Sequence, residues 1–265
     1  MTASQFANIT WAGKSVQIEY QWVGTSDDDR PLIVFLHEGL GSVAMWKDFP
    51  QQLCEAVNCR GLVYSRPGYG KSTPRASDDA WQPDFMHRQA FEVLPALLKA
   101  LGIDTEKQKP WLFSHSDGGS IALLFAARYP GNTSGIIVLA PHILVEDVSI
   151  NSIEKAKFAY QTTDLRSKLA RFHDDVDSAF WGWNDIWLSP DFRHWNLTQA
   201  IKTITCPVLA VQGLDDEYGT LEQIHGIKHV LPTTQLLELA DCGHSPHRDQ
   251  PEALIAAAAA FIKRN

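Results

Sequence analysis

The chain has 265 residues, 45% hydrophobic and 20% charged, an ordinary balance for a globular protein with room for a substantial core. Its formal net charge of −8 argues against nucleic acid as a partner, since phosphate binding needs a basic face. Met1–Trp11 carries no basic segment followed by an apolar one. The longest purely apolar stretch, Leu254–Ile262, is far short of the roughly 20 residues that span a bilayer, so a soluble cytoplasmic protein with no membrane partner is expected.

Phe6–Trp11 and Ser15–Trp22 alternate as two antiparallel strands around the turn Ala12-Gly13-Lys14. The pattern then changes. Leu32–Leu36 is a continuous apolar run, as expected of a strand covered on both faces. A helix is predicted over Val43–Val57 and a strand over Gly61–Tyr64. A further helix over Phe85–Leu101 is interrupted in sequence by Pro95 and ended by Gly102.

Strands follow at Pro110–Phe113 and Gly135–Leu139, with a helix from about Gly118 to Tyr129 between them, and later at Pro207–Val211 and Gln235–Leu239, each before a helix. Alternating strands and helices predict an α/β fold with a mostly parallel central sheet flanked by helices. Cys54, Cys59, Cys206 and Cys242 show no Cys-x-x-Cys spacing and read as reduced core residues rather than zinc ligands.

The alternation fails over residues 143–203. Ser152–Tyr160 and Asp164–Phe172 are helical in pattern, and a Trp-rich tract holds Trp181, Trp183 and Trp187, with Trp195 nearby. An insertion here, after a central strand, is where a helical cap would sit, leaving residues 1–142 and 204–265 as the core. Trp181, Trp183 and Trp187 are candidates for an aromatic substrate wall, although such rings also serve simply to anchor an insertion. His142, after the fourth buried strand, is a candidate for the pocket mouth; a satisfied loop histidine is the plainer alternative.

Ser114-His115-Ser116-Asp117-Gly118 has the small-x-Ser-x-Gly pattern of a tight strand-to-helix turn, with Ser116 at its apex. A serine nucleophile also needs a base and a group to orient that base. Downstream, Gly213-Leu214-Asp215-Asp216-Glu217 follows one strand, and Asp241-Cys242-Gly243-His244 follows the last.

This Ser, acid, His order, each on a loop after a successive strand, resembles the α/β-hydrolase family over nearly the whole chain. His37-Glu38-Gly39-Leu40-Gly41-Ser42 resembles that family's oxyanion loop. Tyr64–Ser72 resembles its Arg-Gly-x-Gly-x-Ser loop, and Gly243-His244 with Gln250-Pro251 resembles its ending. The resemblance implies Ser116 as nucleophile, His244 as general base and Asp216 as its orienter, with Asp215 the alternative acid. It places oxyanion donors at the Gly39 and Asp117 amides.

Two departures stand out. Glu38 replaces the usual glycine, and Asp117 puts a carboxylate beside the nucleophile. Both are expected to turn away and bond to loop amides.

Other motifs fail. Gly70-Lys71-Ser72 lacks the glycine five positions earlier that a phosphate loop requires, and Pro67 removes an amide. His244-x-x-His247 with Asp249 has metal-ligand spacing, but Pro246 breaks the helix it would need; no metal is expected, and His247 reads as a surface or second-sphere residue. His37 is expected to make a structural bond, and the turn to send His115 away from Ser116.

The sequence thus predicts a serine hydrolase that needs no cofactor and acts on a small-molecule ester or thioester of a small, largely apolar or aromatic acid. A carbon–carbon hydrolase of ring-cleavage or diketone type is the alternative, with Arg166, Arg171 and Arg193 to bind a substrate carboxylate. A ligand-binding protein with a vestigial triad is another. Homo-oligomerisation stays open.

Overall fold

The computed structural model describes residues 4–26, 29–76 and 78–265. Residues 1–3, 27, 28 and 77 of the expected core, the first three of them in the segment read for a leader, therefore lie outside the described residues.

Eight strands form one sheet: β1 (Gln5–Trp11), β2 (Lys14–Val23), β3 (Leu32–Leu36), β4 (Arg60–Tyr64), β5 (Trp111–His115), β6 (Gly135–Leu139), β7 (Val208–Gly213) and β8 (Gln235–Leu239). Their spatial order is β1-β2-β4-β3-β5-β6-β7-β8. β1 pairs antiparallel with β2, and β2 antiparallel with β4; every later pairing is parallel. The α/β architecture is thus the one expected.

The first hairpin is tighter than predicted. Trp11 already pairs with Lys14, and Ala12 and Gly13 both take positive φ, 49° and 74°, as a two-residue turn between right-twisted strands requires.

β3, β5, β6 and β7 are buried at every position, because helices cover both faces. Burying each such Val, Leu or Ile side chain contributes about 1.5–3 kcal/mol relative to exposure.

The first helices correct the sequence reading. Val43–Val57 splits into a 3-10 turn at Val43–Trp46 and helix α1 (Phe49–Val57). Pro50 explains the break: inside a continuous helix it would lose a hydrogen bond and clash with the carbonyl four residues back. It is tolerated in the first turn of α1.

Residues 85–100 do form one helical path, but as α2 (Phe85–Arg88), a π-turn (Gln89–Val93) and α3 (Leu94–Ala100). Pro95 cannot donate to the Phe91 carbonyl, and the Tyr129 hydroxyl donates to that carbonyl instead, at 3.0 Å. Gly102 ends the path at φ 73°.

Helix α4 (Asp117–Arg128) follows β5 directly. Between β6 and β7 come α5 (Asp147–Thr162), α6 (Leu165–Leu169) and α7 (Val176–Trp187), the last containing the Trp-rich tract. The only pairing recorded there is an isolated bridge, Leu144 with Asn196. Helices α8 (Glu222–Val230), α9 (Pro246–Asp249) and α10 (Pro251–Arg264) complete the chain. Among the described residues no helix is long and apolar enough to cross a membrane.

Candidate active site

The loops after β5, β7 and β8 converge at the carboxyl end of the sheet. Ser116 sits at the turn between β5 and α4 with φ 52° and ψ −119°, a conformation that L-residues rarely adopt. Three hydrogen bonds hold it there. The Ser116 amide donates to the Leu139 carbonyl at 2.9 Å, and the Gly119 and Ser120 amides donate to the Ser116 carbonyl. A side chain on Gly118 would collide with the Leu36 and His37 carbonyls, so α4 approaches β3 this closely only with glycine there.

The three hydroxyls of this stretch separate by partner. Ser114 Oγ donates to the Ile137 carbonyl at 3.1 Å, and Ser120 Oγ to the His142 carbonyl at 2.5 Å. Ser116 Oγ lies 3.0 Å from His244 Nε2. On the far side of the ring, His244 Nδ1 is 2.9 and 3.0 Å from the two carboxylate oxygens of Asp216. Asp216 also accepts from the Tyr218 amide at 2.8 Å and from Gln212 Nε2 at 2.9 Å, while Asp215 is exposed. Gly213 lets the two loops meet, since a Cβ there would overlap the Cys242 and Gly243 carbonyls.

Burial alone would lower the pKa of His244. The hydrogen bond and charge of Asp216, with the charges of Glu217 and Glu38, outweigh it and raise the net value. Burial pushes Asp216 up, but its contacts with His244 and the Tyr218 amide hold it below the usual carboxylate range. A serine hydroxyl bonded to an imidazole that a carboxylate orients can transfer its proton to that imidazole as the oxygen attacks a carbonyl.

Gly39 and Asp117 both line the cavity beside Ser116. Asp117 is the first residue of α4, so its amide has no partner within the helix. Gly39 carries no side chain for a physical reason: a Cβ would run into the Trp183 indole.

The cavity, about 150 Å³, is also lined by Leu40, Ile153, Trp183, Trp187 and Tyr218. Trp183 and Trp187 thus lie where expected. Trp181 does not. It faces away, packing edge-on against Tyr160 and Phe180, and borders a separate hollow with Trp81 and Arg75. One helical turn brings residues four apart to one face, which unites 183 and 187 and turns 181 aside.

His142 is in the cavity wall, its ring 4.9 Å from that of Trp187 and 5.7 Å from that of His244. Burial, then the nearby histidines, depress its pKa to about 3, so it is neutral.

The carboxylates depart from expectation. Neither bonds to loop amides. Asp117 Oδ1 accepts from Trp187 Nε1 at 3.2 Å, and its Oδ2 lies 3.8 Å from the buried Arg66 guanidinium. Burial raises its pKa, against the pull of Arg66 and Trp187. Glu38 lies at the cavity with Oε2 3.4 Å from His115 Nδ1 and Oε1 3.4 Å from Arg248 Nη2.

His115 itself packs on His244, ring centroids 5.1 Å apart, rather than pointing away from the site. His247 is buried against Trp46 and Phe49, not on the surface. His37 makes the structural bond expected of it: Nδ1 donates to the Glu38 carbonyl, and Nε2 accepts from the Arg66 amide at 2.9 Å.

Sequence reasoning missed Tyr218, whose ring lies 4.8 Å from that of His244, and His173, which bridges two loops. His173 Nδ1 accepts from the Gly70 amide and Nε2 donates to the Leu40 carbonyl, both at 2.9 Å. The step from Asp216 to Tyr218 was a usable signal for the first; nothing local marked the second.

The model of a family described as the alpha/beta hydrolase family matches residues 33–258. A 2-hydroxy-6-oxo-6-phenylhexa-2,4-dienoate hydrolase of Burkholderia cepacia is 24% identical, over 92% of this chain and 90% of its own. A bifunctional esterase/perhydrolase of Acinetobacter calcoaceticus is 25% identical, over 81% and 84%. Among solved structures, the enol-lactonase of Burkholderia xenovorans superposes with a TM-score of 0.76 at 19% identity, covering 98% of this chain and 100% of that one.

Proposed function

The chain belongs to the alpha/beta hydrolase family and is a hydrolase, and on that premise we propose that it cleaves an ester or thioester of a small, largely apolar or aromatic acid through an acyl-enzyme. The observation that carries the reading is the Ser116–His244–Asp216 relay, with steps of 3.0 and 2.9 Å, opening onto a small cavity walled by Trp183 and Trp187.

In this reading Ser116 Oγ attacks the carbonyl carbon while His244 Nε2 takes its proton. Asp216 holds the ring and offsets the charge it gains. The carbonyl oxygen, now negative, accepts from the Gly39 and Asp117 amides. Losing one such donor typically costs about 100- to 1,000-fold in rate. His244 then protonates the leaving alcohol or thiol. A water deprotonated by the same nitrogen releases the acid.

Residues 143–203 act as the cap: α5 supplies Ile153, and α7 supplies Trp183 and Trp187. A cavity of about 150 Å³ is the size of one that holds a benzene ring, which supports a short or single-ring acyl group.

The carbon–carbon alternative draws support from the dienoate hydrolase relative, whose named substrate is a carboxylate. It needs a cation at the cavity, and no Lys or Arg lines it. Arg166 is paired with Asp177 on the exposed face, Arg193 with Asp147, and Arg171 is exposed. The ester reading is therefore the one preferred.

Intact mass after exposure to a small fluorophosphonate, with peptide mapping, tests it. A single stoichiometric adduct on Ser116, together with turnover of small aryl esters, is the expected result. Ligand binding with neither adduct nor turnover would instead support a non-catalytic protein.

A further inference from the structure

Glu38 stands immediately before Gly39, and His115 immediately before Ser116. Their side chains meet in the cavity wall, Oε2 to Nδ1 at 3.4 Å, with the imidazole 1% exposed and the carboxylate 16%. The other nitrogen of the same ring, His115 Nε2, lies 2.6 Å from the main-chain oxygen of His244. A carbonyl oxygen only accepts, so Nε2 carries a proton. Nδ1 in turn faces a carboxylate, which also only accepts. The ring is thus placed from both nitrogens, by the His244 main chain on one side and by Glu38 on the other.

The pair is held on every side. The Glu38 carbonyl accepts from Arg66 Nη2 at 2.7 Å and from the Gly41 amide at 3.1 Å. A Cβ on Gly41 would lie 2.6 Å from Glu38 Oε2, so glycine there makes room for the carboxylate. Arg248 reaches both Glu38 Oε1 and the Met45 carbonyl from the helix after His244. The ring of His115 rests between those of His244 and His247, at 5.1 and 4.9 Å.

We propose that Glu38 and His115 are a second carboxylate–histidine pair that positions the reacting groups. It ties the Gly39 amide, the Ser116 turn and the main chain of His244 into one unit. The replacement of glycine by Glu38 is then a functional feature of this chain. The proposal rests on the acyl-transfer reading above. Its physical basis is that displacing a reacting group by about 1 Å can cost about 100-fold in rate, so a brace shared by three loops acts on kcat rather than on substrate affinity.

The test is a double-mutant cycle with E38Q, H115Q and the double variant, each assayed with a small aryl ester. Active sites are counted from the fluorophosphonate adduct, so that misfolded protein does not enter kcat. Gln at 115 keeps a donor for the His244 carbonyl but removes the ring nitrogen that faces Glu38. Each single variant is expected to lower kcat about 10-fold with KM within about twofold, and the double variant to lower it by the same total of about 10-fold rather than about 100-fold, because both remove one interaction.

Wild-type kcat in E38Q overturns the proposal, as do losses that multiply in the double variant. Loss of the fold in E38Q also overturns it, by making the pair purely structural. If wild-type protein takes no adduct and turns over no ester, the acyl-transfer reading falls and the brace with it. An active wild type matched by both single variants removes the brace alone.

Discussion

The loops after β5, β7 and β8 are held by main chain running against main chain, whereas the α5–α7 segment rests on them through side chains. Gly118 against Leu36 and Gly213 against Cys242 leave no room for a Cβ, which fixes Ser116, Asp216 and His244 relative to the sheet. The α5–α7 segment is attached instead by contacts such as Trp187 to Asp117, His173 to Leu40 and Ser149 to the Tyr218 carbonyl. The three side chains of the proposed reaction are thus placed by backbone geometry. The shape of the cavity depends on rings that could be exchanged one at a time.

The largest effect should come from the backbone-held side. Ser116→Ala is expected to lower kcat/KM by at least about 10,000-fold while leaving the melting temperature within about 2 °C, since a hydroxyl at a cavity edge adds little to the core. Retention of more than about a tenth of the activity would remove Ser116 from its assigned role.

Next comes the acid. Asp216→Asn should cost about 10,000-fold, by analogy with the loss of ring orientation in serine proteases, and Asp215→Asn less than about threefold. Equal losses in steady-state assays would undo the distinction drawn from the 2.9 Å contact.

A third comparison uses pH. The proposed base works only when neutral, and its pKa is raised above 6.5, so kcat/KM should fall about tenfold per unit of acidification below a midpoint that lies above 6.5. A midpoint below 6.5 in a pH–rate profile would contradict the Asp216–His244 pairing.

Stability should respond to the same acid range with the opposite emphasis. His142 is depressed to about 3, and His37 and His247 are held well below 6.5, burial being the largest cause for each. Below about pH 6.5 the unfolded chain takes up protons at these residues that the folded chain refuses, so stability falls with acidification. His244 works the other way: its contribution is full below pH 6.5 and lost as pH rises through its raised folded value. His87 and His173 are also lowered by burial, so urea unfolding between pH 7.5 and 5 should show a net loss on the acid side, five groups against one.

The smallest effects should be on the side-chain-held face, and they should appear as selectivity. Trp183→Ala should favour longer acyl esters over acetyl by about tenfold in relative kcat/KM, a change of the size expected for one or two methylenes in an apolar pocket. Trp181→Ala, outside the cavity, should leave that ratio unchanged within about twofold. A chain-length series on both variants reads the difference directly.

How far the molecule was legible follows the same division. The elbow, the acid loop and the histidine loop were readable because each is a short local signal at a strand end. The parallel sheet was readable from runs such as Leu32–Leu36, buried at all five positions. The break at Pro50 and the π-turn before Pro95 were not, since a propensity pattern does not say how a helix accommodates a proline. Trp181 was grouped with its neighbours because composition marks a tract, while only the 3.6-residue period assigns faces.

Glu38 and His115 show the limit most clearly. Glu38 looked like a local exception to a loop motif, and His115 was expected to point away from Ser116. They lie 77 positions apart, and their meaning comes from β3 and β5 running side by side, so that the last residue of β5 faces the loop just beyond β3. By itself the sequence determined which turns the backbone makes and which reactive side chains stand at them, because those depend on residues within a few positions. The tertiary structure decided which charges become partners and which rings face the cavity, because those depend on distances that no local pattern encodes.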